Sequence, residues 1–205
     1  MGKCVAYVAA AVVCIGIGAL VAGLAVWYTH PQMLEDSPNE SRTAMCVLSG
    51  TTKGTEVSGT LTLKQNGPKV FTHITGNVSG LSVGLHGFHV HEFGVNGANE
   101  ACVDAKGHYN PDGYNHSAPN ATQRHVGDLG NIESFPNGTA LGTAIIDIKD
   151  SISMFGMRSV VGRSIVIHEN RDDLGLGNKP DSLTTGNAGS RLACCNIYIV
   201  PNPTN

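Results

Sequence analysis

The chain has 205 residues, of which 14% are charged, and a formal net charge of −3. Its 13 lysines and arginines are scattered rather than gathered into a stripe, which excludes the basic footprint of a nucleic-acid binder, so no nucleic-acid partner is expected. Twenty-six glycines, with many Ser, Thr and Asn, supply turns while β-branched runs supply strands, which argues for one all-β domain large enough to bury a core.

The first element is apolar. Lys3 precedes a run without a charge from Val5 to Tyr28. That run exceeds the roughly 7 to 15 apolar residues of a signal peptide and reaches the length of about 20 that spans a bilayer. Residues 1–28 are therefore either a signal peptide or a signal anchor. Small residues at Gly23 and Ala25 suit cleavage after Ala25, the length suits retention, and the sequence leaves both open. Lys3 marks the cytoplasmic flank in either case, so the rest of the chain is expected outside the cell, secreted or anchored to the plasma membrane. Membrane contact is expected only through this segment if it is uncleaved. Asn39, Asn77, Asn120 and Asn137 are candidate N-glycosylation sites, and Asn115 is a fifth sequon.

Residues 29–43, with Pro31, Pro38 and acidic side chains, show no apolar periodicity and read as a linker ahead of a domain at 44–205. From Ala44 the pattern becomes β. Thr60 to Lys64 alternates polar and apolar, Gln65-Asn66-Gly67-Pro68 makes a turn, and Val70 to Val78 extends again, which predicts a hairpin. Further strands are expected at His86 to Glu92, Ala140 to Ile148, Ser164 to His168 and Cys194 to Val200. No segment sustains a helical period, so a Greek-key sandwich or barrel is the natural class. Phe93 to Gly130 and Glu169 to Arg191 are long stretches rich in Gly, Asn, Asp and Pro, and loops of that length in a compact domain point to function.

Nine histidines occur, and six have a pattern that core packing does not require. His89 and His91 flank Val90 in a strand-like run, so both imidazoles project from one face, roughly 7 Å apart at the backbone. His108, His116, His125 and Asp128 follow in a stretch too polar to bury them as ordinary core. Three imidazoles and a carboxylate suit tetrahedral zinc. His168 ends an apolar run at the mouth of a strand, and imidazole-rich sites also suit copper.

Gly87-Phe88-His89-Val90-His91-Glu92-Phe93-Gly94 resembles the copper-binding strand of copper/zinc superoxide dismutases, and Gly186-Asn187-Ala188-Gly189-Ser190-Arg191-Leu192-Ala193-Cys194 resembles their C-terminal signature. The likeness runs from about Ala44 to Pro201 and includes Gln123 to Asn131 and Val166 to Glu169. It implies an eight-stranded Greek-key β-barrel with two long functional loops, preceded here by the N-terminal hydrophobic signal or anchor helix. Carried over residue by residue, it implies one copper per subunit on His89, His91, His108 and His168, and one zinc on His108, His116, His125 and Asp128. Asp172 matches a buried, ionised carboxylate that bonds one copper and one zinc histidine. Arg191 matches the arginine beside the copper channel, and Thr185 the residue that narrows it. The reaction implied is disproportionation of superoxide to oxygen and hydrogen peroxide by copper cycling, with His108 tied to proton delivery, in a homodimer or higher homo-oligomer. His86 matches a structural position.

The resemblance pairs Cys102 with Cys194 as a disulfide and makes Cys46 an inert buried thiol. Departures are specific. Cys195 stands where glycine is usual, as a second thiol that competes with Cys194 or pairs between chains. Thr184 occupies the place of a lysine and Pro180 that of an acidic residue, so substrate guidance is expected to differ. The competing reading is a secreted metal-binding module of the same fold without turnover. Such a module is expected to lack copper ligands or the channel arginine, and this chain keeps all of them.

Overall fold

The computed structural model describes residues 40–52, 54–96 and 100–202. The expected signal or anchor segment 1–28, Cys4 and Cys14, residues 29–39 of the linker and the sequon Asn39 lie outside the described residues. Strands β1 (Arg42–Thr52), β2 (Thr55–Gln65), β3 (Thr72–Leu81), β4 (Gly84–His91), β5 (Asp128–Pro136), β6 (Gly142–Asp150), β7 (Ser164–His168), β8 (Arg191–Asn196) and β9 (Tyr198–Val200) make the sheet. They pair in the order β1-β2-β3-β6-β5-β4-β7-β8, and β8 and β9 return to β1, so β9 extends the eighth stave past Ile197 and the ring closes. Closure leaves no long unpaired edge to protect.

Period-two alternation places the core. Ala44, Cys46 and Leu48 of β1, Leu61 and Leu63 of β2, Ile74 and Val78 of β3, and Phe88 and Val90 of β4 all turn into one buried cluster. The even-numbered side of β4 is thereby committed to the barrel interior. His89 and His91 must then face the other way, toward the two loops that cover this side.

Those loops span residues 92–127 and 169–190, and each carries one short helix: a 3₁₀ turn at Glu100–Ala105 and a four-residue α-helix, α1, at Ser182–Thr185. The strand β5 is a correction to the sequence reading, which expected no strand between Glu92 and Ala140 and gave its first residues to the first loop. Gly130 sits at φ 78 and a Cβ there would stand 2.8 Å from Pro119 Cγ. Gly130, which looks like loop, is needed for this close approach, while His86↔Ile132 and Gly87↔Asn131 pair as antiparallel strand. β1 begins at Arg42, ahead of the expected start at Ala44. Arg42 donates to Met154 O at 2.7 Å and lies 4.0 Å over the Phe155 ring.

The cysteine reading needs one correction. Cys46 is not a free thiol and Cys195 neither competes for Cys102 nor stays free for another chain, because Cys46 and Cys195 form a disulfide with Cα atoms 5.3 Å apart. Cys102 and Cys194 form the other, with Cα atoms 6.1 Å apart. The physical reason is the pleat of β8. Adjacent residues point to opposite faces, so Cys195 joins the main core beside Cys46 while Cys194 meets Cys102 in a separate small cluster with Val95, Ala105 and Val166.

Candidate metal centre

Six histidines and two aspartates converge where β4, β7 and the start of β5 face the loops. Two sets of side chains have ligand atoms within 4.8 Å of one another: His89, His91, His108 and His168, and His108, His116, His125 and Asp128. His108 belongs to both. A third group, His89, His116 and Asp172, links the sets from behind. Every one of these residues is buried.

The hydrogen bonds decide which nitrogen of each ring is free. Nδ1 of His91 bonds Lys106 O at 2.9 Å and Nδ1 of His168 bonds Gly189 O at 3.2 Å, which leaves the two Nε2 atoms facing each other at 3.2 Å. Nε2 of His89 and Nε2 of His116 bond the two oxygens of Asp172, at 2.9 and 2.8 Å. That leaves both Nδ1 atoms turned inward. Nδ1 of His116, His108 and His125 surround Asp128 Oδ1 at 2.8, 2.9 and 3.1 Å. Among the described residues two buried ring nitrogens lack a hydrogen-bond partner, His89 Nδ1 and His108 Nε2. An unpaired buried polar atom is costly, so a pair of them aimed into one cluster of imidazoles fits lone pairs kept for a metal ion.

Electrostatics favour neutral rings in the first set. Burial pushes His89, His91, His108 and His168 below the ordinary histidine value, His168 to about 4, and the neighbouring imidazoles and Arg191 add to the effect. A neutral ring has a lone pair to give. In the second set burial opposes the charge on His116, yet its bonds to Asp128 and Asp172 outweigh burial and raise it to about 9. Burial would raise Asp128, but the hydrogen bonds from His108, His116 and His125 hold it well below the usual carboxylate range.

Several supporting residues were missed in the sequence. Asn131 donates to Asp172 O at 2.9 Å and accepts from Asp172 N at 2.8 Å, so one amide clamps the backbone of the carboxylate that orients His89 and His116. Gly186, at φ 64, gives Asp172 its space, because a Cβ there would overlap the carboxylate and crowd His116. Arg124 donates to the carbonyls of His125, Val126 and Asp128 at 3.1, 3.1 and 2.9 Å while Asp150 holds its other nitrogen. Asn131 and Gly186 lie inside glycine-rich motif stretches, which was the available signal. Arg124 stands in the same stretch as Asn131, next to His125, but nothing local indicates its bonds to three carbonyls and to Asp150.

Arg191 is half-buried and donates to Cys102 O at 2.6 Å and to Lys106 O. Thr185 ends α1 just before Gly186, with its hydroxyl donating to Asp181 O at 3.3 Å. His86, fully buried, braces the barrel through His168 O at 2.8 Å and Ser82 O at 2.9 Å and takes no part in either set. Asn77, Asn120 and Asn137 are exposed, and so is Asn115.

Residues 57–197 match the family described as copper/zinc superoxide dismutase. The extracellular copper/zinc superoxide dismutase of Caenorhabditis elegans is 51% identical over 147 residues, covering 71% of this chain and 63% of the worm protein, so the chain spans less than two thirds of that relative. Superoxide dismutase (Cu-Zn) 5 of Dictyostelium discoideum is 50% identical over 152 residues, 74% of this chain and 93% of its own. An extracellular relative from Onchocerca volvulus is 47% identical over 161 residues, 76% of this chain and 75% of its own.

Proposed function

The chain belongs to the copper/zinc superoxide dismutase family and is an oxidoreductase of superoxide, and we propose that the two buried ligand sets hold its copper and its zinc, one of each per subunit. Copper would be held by His89, His91, His108 and His168, and zinc by His108, His116, His125 and Asp128. The observation that carries this reading is the pair of orphaned nitrogens, His89 Nδ1 and His108 Nε2, set among rings whose remaining lone pairs point the same way. Four neutral imidazoles fit copper, and three imidazoles with one carboxylate fit zinc. Bound copper supplies alternating one-electron oxidation and reduction of superoxide, giving oxygen and hydrogen peroxide, while zinc supplies geometry and charge.

The chain's own residues do the rest. Asp172 fixes the tautomers of His89 and His116, so each presents Nδ1 inward. His108 turns one nitrogen to each set, which makes Nε2 the atom where a proton can be held and passed on. Arg191, pinned by two carbonyls, holds a permanent cation beside His91 and His168, where an anion would be drawn and oriented. Thr185 narrows the approach. Metal analysis of the purified protein with a superoxide assay tests the whole reading. Copper and zinc in equal amounts with rapid disproportionation is the expected result, and a fully metal-loaded but inactive protein would overturn it.

Arg191→Ala is expected to lower kcat/KM on the order of tenfold at low salt, with both metals retained, because charged approaches raise association rates by roughly 10- to 1,000-fold. Pulse radiolysis across ionic strength reads this. An unchanged rate and salt slope would make the arginine a structural clamp only.

Two disulfides and extracellular relatives support an oxidising, extracellular setting. The N-terminal segment serves as the signal or anchor, the enzyme assembles as a homodimer or higher homo-oligomer, and Asn39, Asn77, Asn120 and Asn137 are the glycan acceptors. Asn115 is expected to remain unmodified, since its neighbour His116 is locked into Asp128 and Asp172. Glycopeptide mapping checks this, and a mostly occupied Asn115 would refute it.

A further inference from the structure

We propose that Arg163 is a positioning residue for the copper set, a clamp that fixes how far apart His91 and His108 stand. The inference rests on the reading of these two histidines as copper ligands. Their backbones are joined directly, since His91 and His108 face each other as an antiparallel bridge at the end of β4. Around that bridge Tyr109 N donates to Val90 O at 2.9 Å, Glu92 N to Gly107 O at 2.9 Å and Phe93 N to Ala105 O at 3.2 Å, so residues 90–93 and 105–109 make a short ladder. The ladder carries one imidazole on each side, with ring centroids 5.0 Å apart. It also supplies Lys106 O, which holds Nδ1 of His91. Any slip between its two sides therefore moves both rings.

Arg163 joins the two sides. Its guanidinium carbon lies 3.6 Å over the ring of Tyr109, the residue after His108, and its Nη1 donates to the carbonyl of Glu92, the residue after His91. Both ends of the clamp are fixed. Tyr109 is buried in the main core, so its ring is a set surface, while Nε of Arg163 donates to Ser159 O at 3.2 Å and its main chain bonds Val160 O at 3.1 Å and Ile197 N at 2.9 Å. Ser164 and Asn196 hold the same segment farther along, at Phe93 O and at Val95 N and O. Those bonds reach one side of the ladder, whereas Arg163 reaches both.

A planar guanidinium can lie flat on an aromatic face and donate from its edge at the same time, which a compact ammonium cannot do. The choice of variants follows. Arg163→Gln removes the cation and the stack, Arg163→Lys keeps the charge but cannot hold both contacts, and Tyr109→Phe keeps the ring face. Arg163 is half-buried and its main-chain bonds do not depend on its side chain, so these variants are expected to fold. Copper(II) is titrated into the zinc-loaded full chain of each, against a competing chelator, and the copper EPR spectrum is recorded. Zinc retention is measured by the same competition.

Arg163→Gln is expected to bind copper about three- to tenfold more weakly, at the foot of the roughly 10- to 100-fold lost with an outer partner bonded directly to a ligand. Its copper hyperfine splitting should change as well. Zinc should weaken less, because His116, His125 and Asp128 lie outside residues 90–93 and 105–109. Arg163→Lys should fall between Arg163→Gln and the parent, and Tyr109→Phe should match the parent. Parent-like copper affinity and EPR spectrum in Arg163→Gln overturn the proposal. So does an equal loss of copper and zinc affinity with an unchanged copper spectrum, which would mark a general loss of stability. A parent protein that takes up no copper, or whose spectrum shows no coupling to imidazole nitrogen, would instead overturn the copper assignment itself, so the two failures are separable.

Discussion

His108→Ala is expected to lose both metals together and to lower dismutase activity by more than about 100-fold, since even outer partners of metal ligands cost 10- to 100-fold. The reason is the double use of one ring. Nδ1 of His108 lies 2.9 Å from Asp128 Oδ1 and 3.4 Å from His125 Nδ1, while Nε2 is an orphan aimed at the first set. Removing the ring takes a donor from each set and also opens a hole between them. His116→Ala is the informative control. It removes a member of the second set only, so zinc should fall and the fold should weaken while part of the copper stays. Quantifying both metals in the two variants separates the cases. Full copper and zinc in His108→Ala would remove the shared role, and total loss of copper in His116→Ala would contradict the division into two sets.

How much of this site could be read from the chain differs residue by residue. His89 and His91 follow from alternation alone, because a strand whose Phe88 and Val90 go inward must send the histidines outward to the same side. His168 is legible as the polar end of an apolar strand. His116, His125 and Asp128 could be suspected because their loop is too polar to bury histidines as core. Their mutual geometry could not, since it depends on Arg124 collecting three carbonyls of the turn and on Asp150, at the end of β6, holding Arg124.

The role of Asn131 was hidden for a related reason, although the residue stands inside the Gln123 to Asn131 motif stretch. It acts on the backbone of a distant residue, Asp172, and periodicity reports nothing about such bonds. The strand β5 was hidden by its glycine and asparagine. Local composition read them as loop, whereas the close approach to Pro119 requires Gly130 and the clamp on Asp172 uses Asn131. Long-range pairing overrode local propensity there.

The second disulfide leads to the other large expected effect: Cys46→Ala with Cys195→Ala should lower stability by about 4 kcal/mol in the loop-entropy model, with mature Cys102–Cys194 intact. Cys46 and Cys195 are 149 residues apart, and a lone bridge over that span would restrain the unfolded chain by about 5 kcal/mol. The existing bridge between Cys102 and Cys194 already shortens the path, since the chain can pass from Cys46 to Cys102 and across to Cys194, a circuit of roughly 60 residues, and this reduces the entropy gained. The site of the loss also matters. Cys46 and Cys195 sit in the main core, whereas Cys194 and Cys102 lie in the small cluster under the first loop. Losing the core bridge should therefore make global unfolding easier, with a melting temperature lower by on the order of 10 °C at 2 to 4 °C per kcal/mol for a domain of this size. The metal set should be left in place, because neither cysteine contacts it. Calorimetry of the metal-loaded double variant beside the parent reads the difference. A melting temperature within about 2 °C of the parent would mean that packing between β1 and β8, rather than the bridge, holds these strands together.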